Sequence, residues 1–313
     1  MLVEARGISK DYPGVRALAD VDLDVREGEV FGLFGPNGAG KTTAIRVLTG
    51  LTPPTDGGAR VCRVDVQANP RDVRQLVGIQ FDIPILYEKM RFVEYLRFFG
   101  KMAGLSGAAL EQRLGEVFAI LEQPHNAHRR IGSLSMGERQ RVEIGRVLMS
   151  DAQLLFLDEP FSNVDVDMRI KLRGMLRTWV AAGRSIFFTS HNLLEAEQFV
   201  DRFAFLSHGR ITAMGTPKDL KERLLVPVYY VEVGDAAKAL EALRAVPSHD
   251  LKQVGPAAVQ IVLTDRGDAR LIAKLLTEAG VDILEMRSVG TMEDVFQRAT
   301  RTWMPPPPPG VVT

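Results

Sequence analysis

Residues 35–43 read GPNGAGKTT, and residues 154–160 read LLFLDEP. The first run matches G-x-x-x-x-G-K-[ST]. It follows a compact apolar run, Glu29 to Phe34, that fits a buried strand, and it precedes a helical pattern beginning at Lys41. That is the context a phosphate-binding loop requires. Glycines let backbone amides face a phosphate closely, and the following helix N-terminus adds positive dipole. Gly35, Pro36, Asn37, Gly38, Ala39, Gly40, Lys41, Thr42 and Thr43 are therefore expected to hold a polyphosphate. Lys41 would reach the β- and γ-phosphates, and the Thr42 hydroxyl would ligate Mg²⁺. The second run is a hydrophobic strand ending in two acids. Buried unpaired charge is costly, so a cation partner is expected for Asp158, at the strand end. Glu159 would point to the opposite side and accept a proton from an attacking water.

The elements that must carry these residues read as an α/β fold. The runs 153–157 (QLLFL) and 185–189 (SIFFT) are short and apolar, like parallel strands buried on both faces. A helical pattern over 167–182 lies between them, a rhythm that implies a parallel sheet with right-handed crossovers. Such sheets bring strand ends to one carboxyl edge, where the loop and the acids would meet. Residues 1–34 read as strands, with alternation at Val21-Asp22-Leu23-Asp24-Val25. Residues 92–122 read as helix, with Phe92, Tyr95, Leu96 and Phe99 on one face.

The character changes near Leu224–Pro227. Beyond it the pattern is strand 228–233, helix 236–246, strands 251–254 and 258–263, helix 268–279, strand 282–287 and helix 291–301. That β-α-β-β-α-β order is the ferredoxin-like unit. The expected organisation is one domain over 1–224, a small α+β domain over 225–304, and a Pro-rich tail over 305–313 in polyproline II form.

Composition narrows the function classes. The 313 residues suit about two domains. Thirty-nine Lys plus Arg balance thirty-nine Asp plus Glu, so the chain has no global electrostatic footprint for nucleic acid. The single cysteine, Cys62, excludes an internal disulfide, and no His cluster of metal-ligand spacing surrounds it. No apolar run reaches the ~18 residues of a spanning helix, and the N-terminus lacks a signal peptide's apolar stretch. The expectation is a cytoplasmic protein that reaches a membrane only through a partner. An Asn-Lys-x-Asp base-reading motif, which a GTPase would carry, is not found.

With both motifs placed, others fall in order, and residues 2–224 resemble the ATP-binding cassette (ABC) ATPases. LSMGERQ, residues 134–140, resembles that family's signature, usually LSGGQ. Gln80 lies between phosphate loop and signature, as the family's glutamine does. Ser162-Asn163-Val164-Asp165 resembles its D-loop, His191 its switch histidine, and Tyr12 the aromatic that stacks on adenine. The resemblance implies a phosphate-loop ABC ATPase with a mixed-sheet core and a helical subdomain over about 81–150. It implies ATP and Mg²⁺ as cofactors, Gln80 as a further metal ligand and γ-phosphate sensor, and Ser135, Gly137 and Asp165 at nucleotide. It implies a head-to-tail dimer, with itself or a homologous subunit, in which each site joins one subunit's phosphate loop to the other's signature. A separate membrane-spanning permease would hold it at the inner face of the membrane, with Phe81 to Tyr87 as the contact. The stretch LYEKMRFVEYLRFFGKMAGL and the terminal TMEDVFQRAT most resemble ATPases of ABC-2-type exporters of drugs, lipids or polysaccharides. The alternatives are a soluble ABC ATPase acting on nucleic acid or ribosomes, and a catalytically weak regulatory subunit. Long coiled-coil insertions or a second cassette would mark the former, and neither is present. Met136 and Glu138 depart from the family's glycine and glutamine. Ser135-x-x-Glu138 also satisfies a capping box, which would turn the added charge away from phosphate.

Overall fold

A computed structural model of the chain describes residues 1–82, 86–162 and 164–301. Residues 83–85 of the expected permease contact, Asn163 of the D-loop, Trp303 and the Pro-rich tail lie outside the described residues. The chain divides into two compact units, Met1–Pro217 and Lys218–Thr313. The sequence reading put the boundary after 224.

The first unit is built on a six-stranded sheet. It contains β3 (Val30–Phe34), β6 (Val77–Gln80), β7 (Leu154–Asp158), β8 (Ser185–Ser190), β9 (Arg202–Ser207) and β10 (Arg210–Gly215), in the order β10-β9-β3-β8-β7-β6. All pairs are parallel except β9 with the edge strand β10. The near-continuous apolar runs have their cause here: every residue of β3, β7 and β8 is buried, as expected of parallel strands covered on both faces. Phe187 of β8 stacks on Phe31 of β3 at 5.6 Å and meets Phe156 of β7 at 5.2 Å.

A second, antiparallel sheet has the order β2-β1-β4-β5, from β1 (Val3–Tyr12), β2 (Val15–Val25), β4 (Asp56–Val61) and β5 (Val64–Asp65). Its alternation is that of a half-buried sheet. Val21, Leu23 and Val25 enter the core, and Asp22 faces out. One apolar core joins both sheets to Ala44, Ile45, Val47 and Leu48 of α1 (Lys41–Leu48). The short α2 (Pro70–Leu76) leads into β6.

The helical part contains α3 (Phe92–Met102), α4 (Gly107–Leu121) and α5 (Met136–Leu148). The single helical pattern expected over 92–122 is two helices. Gly104 at φ +88° ends the first, in the left-handed region where glycine is the default residue. Phe92, Tyr95 and Leu96 are buried as their spacing predicts. A Cβ on Gly145 of α5 would lie 2.7 Å from Leu121 and 3.2 Å from Leu96, so glycine is what allows the helices to approach. After β7 come α6 (Val166–Ala181) and, beyond β8, α7 (Leu194–Phe199).

The second unit holds most of α8 (Pro217–Leu224), then β11 (Val228–Val233), α9 (Ala236–Leu243), β12 (Ser248–Gly255), β13 (Ala258–Leu263), α10 (Ala269–Glu278), β14 (Ile283–Val289) and α11 (Met292–Arg301). Its sheet is antiparallel with order β12-β13-β11-β14, the ferredoxin-like arrangement. Val231, Val233 and Ile261 pack with Ala239 and Leu243 of α9 and with Ile272 and Leu276 of α10. No helix among the described residues is long and apolar enough to cross a membrane.

Candidate functional site

The carboxyl ends of β3, β8, β7 and β6 lie side by side, so four chain segments distant in sequence converge on one sheet edge. After β3 comes the phosphate loop, after β8 His191, at the end of β7 Asp158 and Glu159, and at the end of β6 Gln80. A cavity of about 250 Å³ opens there, lined by residues 37–43 of the loop together with Asp158 and Glu159.

The loop conformation needs its glycines. Gly40 sits at φ +108°, and a Cβ on it would lie 2.4 Å from the Ala17 carbonyl oxygen. A Cβ on Gly35 would lie 2.2 Å from the Leu206 carbonyl oxygen. The loop is thus wedged against β2 and β9, and α1 starts directly behind it. The Lys41 ammonium folds back into the loop, donating to the carbonyl oxygens of Gly35 at 2.8 Å and Pro36 at 3.2 Å. Its Nζ also lies 3.2 Å from Glu159 Oε1, with both side chains largely buried. That contact is an ion pair without hydrogen-bond alignment, and Oε1 makes no hydrogen bond among the described residues.

The other oxygen of Glu159 lies 2.9 Å from His191 Nδ1. Glu159 therefore bridges the loop lysine and the histidine. It adopts φ +49°, a conformation that costs a non-glycine residue about 1–3 kcal/mol and clusters at functional sites. Thr189 of β8 holds this turn: its hydroxyl accepts from the Glu159 amide at 3.0 Å and donates to Asp158 Oδ1 at 2.5 Å. Thr42 donates to Asp158 Oδ2 at 2.7 Å. Burial pushes the Asp158 carboxyl above the usual carboxylate range. The two threonine hydrogen bonds oppose that rise, and the negative charges of Glu159 and Asp82 add to it.

Lys41, Thr42, Asp158, Glu159 and His191 thus come together as the sequence reading places them. Gln80 is fully buried and does not line the cavity. Its Nε2 donates to the Phe81 carbonyl oxygen at 2.8 Å and lies 3.5 Å from the Asp158 carbonyl oxygen, while its Oε1 has no partner among the described residues. Tyr12 is half exposed at the end of β1, with the Lys10 ammonium 5.3 Å from its ring. It is not in the lining, but Val15, opposite it in the hairpin, and Ala17 are.

Ser135 and Asp165 are N-caps. Ser135 Oγ accepts from the Glu138 amide at 3.3 Å, and Asp165 accepts from the Met168 amide at 2.9 Å. Neither they nor Gly137 line this chain's cavity. The capping box is complete: the Ser135 amide donates to Glu138 at 2.8 Å. Asn126 donates to the same carboxylate at 2.7 Å, and Arg129 lies 3.5 Å from it. The charge that Glu138 adds is therefore turned into the cap, while Met136 is 64% exposed.

Burial alone would raise the Glu138 carboxyl, but the hydrogen bonds from Ser135 and Asn126 and the Arg129 charge together hold it below its ordinary value of 4.5. A lowered carboxylate contributes stability that is present above the unfolded-state value and is lost as pH falls through the folded one. Glu138→Gln is expected to lower the thermal midpoint at pH 7 by an amount matching roughly 0.5–1 kcal/mol, the low end for a capping contact. The gap to wild type should close as the pH is taken below 4.5. A gap that stays constant with pH would show that the charge is not what stabilises the cap.

Sequence reasoning missed Thr189, which orients both carboxylates, and Gln140 of α5, whose amide donates to the Pro160 carbonyl oxygen at 3.1 Å beside the acidic turn. It also missed Val15, Ala17 and Asp82 in the lining. A hydroxyl at the end of an apolar strand was a readable signal for Thr189. The lining residues had none, because they arrive from other elements.

Comparison with known proteins identifies the family. The family described as ABC transporter matches residues 18–162. "Nod factor export ATP-binding protein I" of Cupriavidus pinatubonensis is 32% identical, covering 96% of this chain and 90% of the relative. "Daunorubicin/doxorubicin resistance ATP-binding protein DrrA" of Streptomyces peucetius is 33% identical, covering 95% and 92%. Among solved structures, "Structure of ATP binding subunit of ABC transporter" aligns with a TM-score of 0.66 at 30% identity over 71% of this chain and 93% of that one. A dimeric ATP-binding cassette in a post-hydrolysis state, bound to ADP and Pi, has the same fold, with a TM-score of 0.63 at 23% identity over 68% and 98%. The chain therefore belongs to the ABC transporter family and is one of its ATP-binding, ATP-hydrolysing subunits.

Proposed function

We propose that this chain drives an exporter: it hydrolyses ATP as a head-to-tail dimer and passes the resulting motion to a separate membrane-spanning permease. The observation that carries the catalytic part is Glu159, bridged between Lys41 and His191 at the mouth of the phosphate loop. The exporter part is supported by relatives that match through nearly the whole chain, the small second unit included, and whose names concern Nod factor export and drug resistance.

The residues have separable tasks. Phosphate entering the loop would take Lys41 from Glu159, because a polyphosphate offers the ammonium more charge than one carboxylate does. Glu159, released from the lysine but still held by His191, is then free to accept a proton from a water attacking the γ-phosphorus as the bond to ADP breaks. Lys41 stays on the phosphate oxygens and stabilises their charge. Ser135 and Gly137, at the start of a 13-residue helix and away from this chain's own cavity, suit the γ-phosphate bound by a second subunit.

The donors at this edge fit Mg²⁺. No group of three His, Cys, Asp or Glu side chains among the described residues is arranged to hold a metal by itself. Mg²⁺ is instead usually held by one or two carboxylates plus substrate phosphates, and Thr42 and Asp158 offer a hydroxyl and a carboxylate beside the loop. When bound, the ion neutralises charge on the phosphate oxygens.

The test is steady-state ATP hydrolysis by the purified chain, alone and with a permease expressed from an adjacent reading frame in membrane vesicles. Slow metal-dependent hydrolysis that rises with the permease supports the reading. ATP hydrolysis that responds to nucleic acid or ribosomes but to no membrane partner would overturn the exporter part.

A further inference from the structure

We infer that Arg146 of α5 is a positioning residue for ATP hydrolysis: held by the buried Glu143, it fixes the end of β6, from which the chain turns toward the cavity. The inference rests on the ATP-site reading above.

β6 lies at the edge of the six-stranded sheet, beside β7. The outer side of an edge strand presents amide and carbonyl groups that no strand meets. The Ile79 carbonyl oxygen is met by a side chain instead, accepting from the Arg146 guanidinium at 2.8 Å. Gln80 follows as the last residue of the strand, and Asp82, two positions on, lines the cavity of the phosphate loop. Four residues make up β6, so a contact one position from its end bears directly on where the chain leaves the sheet.

Arg146 is itself held. Its Nε and Nη2 lie 3.0 and 2.9 Å from Glu143 Oε2, one turn earlier on α5. The other oxygen of Glu143 accepts from the Tyr95 hydroxyl of α3 at 2.9 Å. Glu143 is 2% exposed and Tyr95 not at all. The guanidinium also lies 5.4 Å from the Phe99 ring. Burying this carboxylate costs desolvation, and apolar side chains would join two helices and a strand without that cost. What the pair adds is direction: Glu143 fixes the planar guanidinium on one side, so its remaining donors point at the backbone of β6.

A misplacement of ~1 Å by a change far from the reacting atoms can cost ~10²-fold in rate. The phosphate loop is carried by β3 and α1, not by β6 or α5. Nucleotide binding and turnover should therefore separate when the end of β6 is released.

Steady-state hydrolysis by the full-length protein gives kcat and KM. Binding of a non-hydrolysable ATP analogue is measured by itself, and every variant is assayed well below its own thermal midpoint. Arg146→Met keeps the length of the side chain and removes its donors. It should lower kcat about 10–100-fold and leave KM and analogue affinity in place. Because it leaves Glu143 buried without its cation, the double variant Glu143→Gln with Arg146→Met is made beside it. The neutral amide can still accept from Tyr95, and kcat should fall as far. Tyr95→Phe disturbs the same cluster but leaves the contact to Ile79. It should lower the thermal midpoint and keep kcat near wild type.

Wild-type kcat in both Arg146 variants overturns the inference. So does analogue binding that weakens in step with kcat, because the cluster would then support the whole site and not the strand end. A kcat in Tyr95→Phe as low as in Arg146→Met overturns it too, as does failure of both Arg146 variants to fold. If the wild type hydrolyses no ATP, the ATP-site reading falls with it. If the wild type is active and the Arg146 variants match it, that reading stands and the positioning role alone is lost.

Discussion

Glu159→Gln is expected to slow ATP hydrolysis by about 10²–10⁴-fold, the usual contribution of a positioned general base. ATP binding should survive, and an ATP-bound dimer should accumulate. The substitution keeps the shape of the side chain and its place beside His191 but removes the charge that accepts the proton. It also removes the ion pair to Lys41, whose Nζ lies 3.2 Å from Glu159 Oε1. Among the described residues, Lys41 then has the Gly35 and Pro36 carbonyl oxygens to leave when phosphate arrives. The variant should therefore bind ATP at least as tightly as wild type while turning it over far more slowly. Phosphate release and light scattering with and without ATP measure the two halves. Near-normal hydrolysis by the variant would remove Glu159 from the role of base and leave His191 or a nucleotide oxygen to take the proton.

The second large effect concerns stability. Phe187 has no exposure and lies between Phe31 and Phe156 across three neighbouring strands of the parallel sheet. Phe187→Ala is expected to cost about 3–5 kcal/mol, the range for truncating a buried phenylalanine. For a unit of this size that lowers the thermal midpoint by roughly 6–20 °C. The three strands carry the phosphate loop, His191 and the acidic pair, so packing here sets the spacing of the site. Phe187→Leu, which keeps most of the volume, should lose much less. Scanning calorimetry of the full chain measures the shift. A small shift in Phe187→Ala would mean that the sheet collapses readily around the lost ring.

Local chemistry was legible in the sequence wherever a short run carried its own reason. The phosphate loop needs glycine, lysine and threonine at fixed offsets. The acidic pair stands out because it ends an apolar strand. The capping box at Ser135 and Glu138 satisfies backbone donors within one turn. Strand and helix periods marked most elements of both units, down to the order of the small α+β unit. These features depend on neighbours a few residues away, which is the range at which sequence pattern acts.

What only the tertiary structure decided lies beyond that range. The strand order puts β8 between the loop strand and the acidic strand, so Thr189 can hold Asp158 and Glu159 at once. Lys41 and Glu159 become an ion pair although 118 positions separate them. The helical stretch beginning at Phe92 breaks at Gly104, which an amphipathic pattern alone does not reveal. The choice between Gln80 and Asp82 shows the limit most clearly. Both are polar and only two positions apart, but Gln80 ends β6 inside the sheet and Asp82 lies just past its edge. Which of them faces the cavity depends on where β6 stops relative to β7. That is set by interstrand register and packing, not by the residues around either side chain.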